Sequence, residues 1–250
     1  MDAREGTRAA RPAEWFAAAG GLALVAVLGF AGLGAVQSLR SSGAAADAIV
    51  EAPERFGWAI LALYAVAVLD IVVAWGLWRV FRGGQPGGSA LAAAFRIAYA
   101  AAFVGAIAQL DHAVRIATGA DDAAVDAVPT AAVEQQVQGF DAAWSGALVL
   151  FAAHLVVIGW LLMRRSGAVA TVLGVLVAVA GLGYAADSVI RILAPDLGVG
   201  VAVFTFVGEV LLIGWLVAGG IRSARTRGGR LDDLTGPPRP TARATASEGA

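Results

Sequence analysis

Six stretches of the chain, residues 15–36, 57–78, 89–111, 140–163, 168–192 and 199–221, run almost uninterrupted in apolar residues. Crossing the hydrocarbon core of a bilayer takes about 20 helical residues, whereas a helix of a water-soluble domain needs only one apolar stripe. The runs therefore predict an all-α fold, a polytopic transmembrane bundle of six helices. Composition points the same way: 59% of residues are hydrophobic and 15% charged, against about 25% charged in ordinary soluble domains.

The first run has small residues after it, at 43–46, as a secretory signal would. Its apolar stretch is too long for one, and Asp2, Glu5 and Glu14 dilute the basic character such a signal needs ahead of it. It is read as a membrane helix. Arginine sets the direction, because cytoplasmic loops carry the excess of basic residues. Arg4, Arg8, Arg11, Arg79, Arg82, Arg164 and Arg165 fall on one side, with Arg222 and the other tail arginines. The opposite side holds Arg40, Arg55, Arg115 and Arg191 among acidic residues such as Asp47, Glu51, Asp121 and Asp126. Both termini are thus expected in the cytoplasm, with residues 1–14 as an N-terminal segment, 15–221 as the membrane domain and 222–250 as a disordered tail. All 18 basic residues are arginine, which suggests a GC-rich bacterial genome and hence the inner membrane. The formal net charge of −1 gives no reason to expect a nucleic-acid partner. The absence of cysteine excludes disulfides and thiolate chemistry.

Four ionisable residues interrupt the apolar text: Asp70, Arg96, His154 and Glu209. Counting back from Arg79, Arg164 and Arg222 at 1.5 Å per residue puts Asp70, His154 and Glu209 roughly 14 to 20 Å inside the membrane boundary. Each costs about 2.5–3.5 kcal/mol to insert, so each is expected to face the interior and find a partner. Arg96 is placed to pair with Asp70 on the neighbouring antiparallel helix, or else to snorkel to the headgroups. With a protonated His154 the four charges sum to zero. Equal depth and parallel direction further predict that His154 and Glu209 share one site.

A phrase recurs around three of these residues. Asp70 is followed by IVVAWGLW, His154 by LVVIGWLL and Glu209 by VLLIGWLV, each with a Gly and Trp pair at the fifth and sixth positions. Three helical hairpins of one pattern account for it, as does the ease with which Ala, Val, Leu and Gly text aligns with itself. On the fifth span, Tyr184, Asp187, Ser188 and Arg191 fall at helical spacing on one face. They form a candidate outer polar stripe, either lining an access path or acting locally, with Asp187 and Arg191 as a helix pair and Tyr184 as an interfacial anchor.

Other motifs carry less. Gly181-Leu-Gly183-Tyr-Ala-Ala186 imitates a dinucleotide fingerprint but lies inside a membrane-length run, where small residues serve close helix packing. Ser145 and His154 are nine residues apart on one helix, on opposite faces. Asp70, His154 and Glu209 contain donor types that suit zinc or iron, but a single imidazole without a paired histidine is a weak set. No cofactor is implied.

The stretches FRIAYAAAF from Phe95, HLVVIGWLLMRRSG from His154, LGYAADSVIRILAP from Leu182 and EVLLIGWLVAGG from Glu209 resemble a family of bacterial six-helix membrane proteins known as domain of unknown function 4386. The resemblance spans 15–222 and implies an integral membrane protein with six helices, with no substrate, cofactor or catalytic residue attached. Three functions remain open. Buried ionisable residues often mark proton or solute routes. An intramembrane enzyme would use His154 and Glu209 as acid and base or as metal ligands. A non-catalytic structural or partner subunit would use the layer to fix helix register. Protein partners and oligomeric state are not legible.

Overall fold

The computed structural model describes residues 9–119, 129–194 and 207–235. Its elements are α1 (Pro12–Ser42), α2 (Ala45–Glu51), α3 (Pro53–Phe81), α4 (Pro86–Thr118), α5 (Thr130–Met163), α6 (Ala168–Leu193) and α7 (Val207–Thr235), with no strand among the described residues. All but α2 are long and apolar enough to cross a membrane. The six-helix, all-α architecture expected from the apolar runs is the one observed.

Local chemistry sets several helix ends. Pro12, Pro53 and Pro86 stand in the first turns of α1, α3 and α4, where the missing N–H costs nothing and the fixed φ suits the helix. Gly43 and Gly119 close α1 and α4 at φ 66°, a left-handed conformation in which any Cβ is strained. Glu14 completes the start of α1 by accepting the Arg11 backbone N–H at 2.8 Å.

The long helices form a closed ring. Each packs on its neighbour in the order α1, α3, α4, α5, α6, α7, and α7 returns to α1. Small residues allow the closest approaches. A Cβ on Gly159 of α5 would lie 2.5 Å from the Gly174 carbonyl oxygen of α6, so the α5–α6 crossing admits no side chain there. The ring's outer surface is apolar: Phe30, Trp58, Val68, Val169 and Leu182 are all exposed. In water such a surface would aggregate; against lipid it is the expected one.

The helices overshoot the expected spans. α5 begins at Thr130 rather than 140, because the intervening residues, though too polar for lipid, still favour helix where the chain leaves the bilayer. At the same end α2, too short to register as a span, packs Ala45, Ala46 and Ile49 into a second apolar cluster with Leu39, Phe56 and Val133. At the other end α7 continues past 221 to Thr235; the segment 222–235, expected to be disordered, is helical. Ala224 and the arginines at 222, 225 and 227 prolong a helix already nucleated in the span, and it continues through Gly228 and Gly229. Residues 1–8, 120–128, 195–206, which include the expected start of the sixth span at 199, and 236–250 lie outside the described residues.

Candidate functional site

Asp70 on α3, Arg96 on α4 and His154 on α5 meet at the centre of the bundle, each only 1% exposed. Arg96 turns inward and does not snorkel. Its Nε donates to Asp70 Oδ1 at 2.9 Å and its Nη2 to the same oxygen at 2.5 Å. Its Nη1 lies 3.2 Å from His154 Nε2, and His154 Nδ1 lies 2.8 Å from the Ala92 carbonyl oxygen. The carbonyl can only accept, so Nδ1 carries the proton, and Nε2 accepts from the guanidinium. Both ring nitrogens are then used with His154 neutral. The protonated imidazole in the expected charge balance is therefore not what this geometry holds: Arg96 and Asp70 cancel each other directly.

Glu209 finds a different partner. Tyr184 on α6 donates its hydroxyl to Glu209 Oε1 at 2.9 Å, and both side chains are half-buried. The shared His154 and Glu209 site expected from equal depth does not form as a direct contact, because Arg96 and Ala92 already hold both imidazole nitrogens. Phe151 lies between the two groups. Its ring is 5.3 Å from the Arg96 guanidinium, 6.0 Å from the His154 ring and 5.4 Å from the Tyr184 ring. Tyr99 stacks on it from α4 at 4.9 Å. Among the described residues no group of three or more His, Asp or Glu side chains is placed to hold a metal.

The outer stripe divides. Asp187 and Ser188 are buried, Tyr184 turns to Glu209 within the bundle, and Arg191 is exposed. Tyr184 is thus no interfacial anchor, since its hydroxyl is the one described hydrogen-bond partner of the Glu209 carboxyl. Three further participants went unread in the sequence. Tyr99 and Phe151 sit three residues after Arg96 and three before His154, on the same helix faces. Glu14, which reads as a flanking acid, is 1% exposed and accepts from Arg79 Nη2 at 2.6 Å and Nε at 2.9 Å.

The recurring phrase also acquires a geometry. Gly76 of the first copy abuts Ala18 of α1, where a Cβ would come within 2.9 Å of the alanine Cβ. Gly159 of the second copy abuts Gly174, while Gly214 of the third has nothing within 4 Å. The tryptophans divide alike. Trp75 and Trp160 lie on the outer surface, whereas Trp215 turns inward to Trp15 at 5.3 Å and Phe81 at 6.1 Å.

The family described as Domain of unknown function (DUF4386) matches residues 17–220. The chain belongs to this family. An uncharacterized protein of Archaeoglobus fulgidus is 27% identical over 163 residues, which are 65% of this chain and 84% of that protein. No solved structure matches. With six long apolar helices arranged as a lipid-compatible ring, this member is an integral membrane protein.

Proposed function

We propose that the protein moves protons, or a small protonatable solute, across the bilayer, with Glu209 and Tyr184 as the exchange site and Asp70, Arg96 and His154 as a fixed clamp beside it. The observation that carries this reading is the asymmetry of the layer. Asp70 faces a full positive charge, while the hydrogen-bond partner of Glu209 is a neutral phenol. A carboxyl that is not bonded directly to a guanidinium is not held in its ionised form, so it can take up and release a proton. Tyr184, able to donate and to accept, can relay that proton. The clamp joins three successive helices, and its removal leaves an unpaired buried charge, which supports a structural role for those residues within the same protein.

The arginine asymmetry supports an orientation with the Arg-rich end, where α1 begins and α3 and α5 end, in the cytoplasm of a bacterial inner membrane. Single cysteines at Ser41 and Ser166 test it in a cysteine-free chain. Only the residue-41 cysteine should label from outside, and labelling of residue 166 would reverse the orientation.

Vesicles containing the purified protein and a lumenal pH dye test the function itself. An imposed pH step should collapse faster than in empty vesicles, and Glu209→Gln should return the rate to that of empty vesicles while the protein stays folded. Wild-type vesicles as tight as empty ones, under both polarities of membrane potential, would exclude proton movement.

A further inference from the structure

At the Arg-rich end the helices open into a basin of about 1030 Å³ between α1, α3, α5, α6 and α7. Arg79, Arg164, Arg165 and Arg222 line it together with Ser166 and Thr226. Glu14 compensates Arg79. Among the described residues the other three arginines pair with no carboxylate. Arg165 is held from below by aromatic rings, with Phe81 at 4.8 Å and Trp15 and Trp215 each at 5.4 Å, and it donates to the Val80 carbonyl oxygen at 2.5 Å. Its partial burial lowers the guanidinium pKa from the usual value through desolvation, although arginine keeps its charge. Arg164 stands over Trp160 at 5.1 Å.

We propose that this basin binds a phosphate-bearing anion, either the headgroup of an anionic phospholipid or a soluble phosphate ester. Topology alone requires arginines at this end, but it does not require them to line one cavity, nor Arg164 and Arg165 to be fixed there on aromatic rings. The half-buried Arg165 shares its opening with the exposed Arg164 and Arg222, which gathers positive charge in one cavity, and guanidinium matches phosphate oxygens in geometry as well as charge. The N-terminus of α6 opens on the same basin through Ala168 and Val169 and has no side-chain cap, which adds a favourable dipole. The volume far exceeds a bare phosphate and leaves room for the attached glycerol. Where the basin meets the bilayer surface, basic pockets of this kind suit lipid headgroups.

The test follows thermal unfolding of the full chain in phosphatidylcholine nanodiscs at constant ionic strength, titrating phosphatidylglycerol into the bilayer or glycerol 3-phosphate into solution. A saturable rise in Tm with at least one of them is expected. A response to the lipid alone assigns the site to a headgroup, and a response to the soluble ester assigns it to the phosphate. Replacing both Arg164 and Arg222 with Gln should weaken binding about thirtyfold, while Arg55→Gln at the opposite end leaves it unchanged. If the double variant does not fold, Ser166→Glu, which sets a carboxylate in the basin, should abolish the response. No Tm rise with either ligand, or a variant titrating like the wild type, overturns the proposal.

Discussion

Asp70 and Glu209 are both carboxylic acids introduced into the same phrase of sequence, yet the bundle treats them oppositely. Asp70 is sealed at 1% exposure against an arginine whose third contact is a histidine. Glu209 is half-buried on α7, the last helix of the ring, and bonds a tyrosine. The glycines five or six residues later divide in the same way: Gly76 and Gly159 are wedged against neighbouring helices, and Gly214 touches nothing. The third copy makes its close contacts elsewhere, at Gly208 on the Leu176 backbone and at Trp215 on Trp15 and Phe81. Shared sequence style places an ionisable group on each of three helices, whereas the neighbouring helices decide which partner that group meets.

Breaking the locked side should produce the largest effect. Arg96→Gln strands the Asp70 carboxylate in the interior and should cost about 3–5 kcal/mol in unfolding free energy measured in detergent. The double variant Asp70→Asn with Arg96→Gln should cost clearly less, because no charge is left alone. Strictly additive losses would mean the two residues act independently. Next come the glycines. Gly159→Ala overpacks the α5–α6 crossing and should lose about 1–3 kcal/mol, while Gly214→Ala should be neutral or gain up to about 1 kcal/mol from helix propensity. Equal effects at both positions would erase the distinction between the copies. Smaller still, Tyr184→Phe removes one hydrogen bond and should lower stability by about 0.5–1.5 kcal/mol. It should also slow proton flux without changing the secondary structure seen by circular dichroism.

The spans were legible because 20 apolar residues have few other uses, and Asp70, Arg96 and His154 because a charge in such a run stands out. Their connections were only partly legible. Arg96 could reach two levels from its place on α4, and only packing shows that it turns to Asp70. Equal depth and parallel direction point to a pairing of His154 with Glu209, but they leave rotation about each helix axis open, and that rotation directs His154 to Ala92 and Arg96 and Glu209 to Tyr184. Glu14 was hidden by its position, since an acid ahead of a first span looks like a flank until α3 brings Arg79 beside it. The extensions of α5 and α7 escaped a hydropathy reading because helix propensity, not apolarity, carries them into water.

The central claim, that Glu209 exchanges a proton while Asp70 is locked, is tested most directly by infrared difference spectroscopy of the protein in lipid as pH is stepped. Besides the bands of its exposed carboxyls, the wild type should show a carboxyl stretch at the higher frequency of a poorly solvated acid that comes and goes with pH and shifts in heavy water, as an exchanging group must. That band should vanish in Glu209→Gln and persist in the double variant Asp70→Asn with Arg96→Gln. A band that survives in Glu209→Gln and disappears with Asp70 would contradict the account, since the exchanging carboxyl would then belong to the clamp.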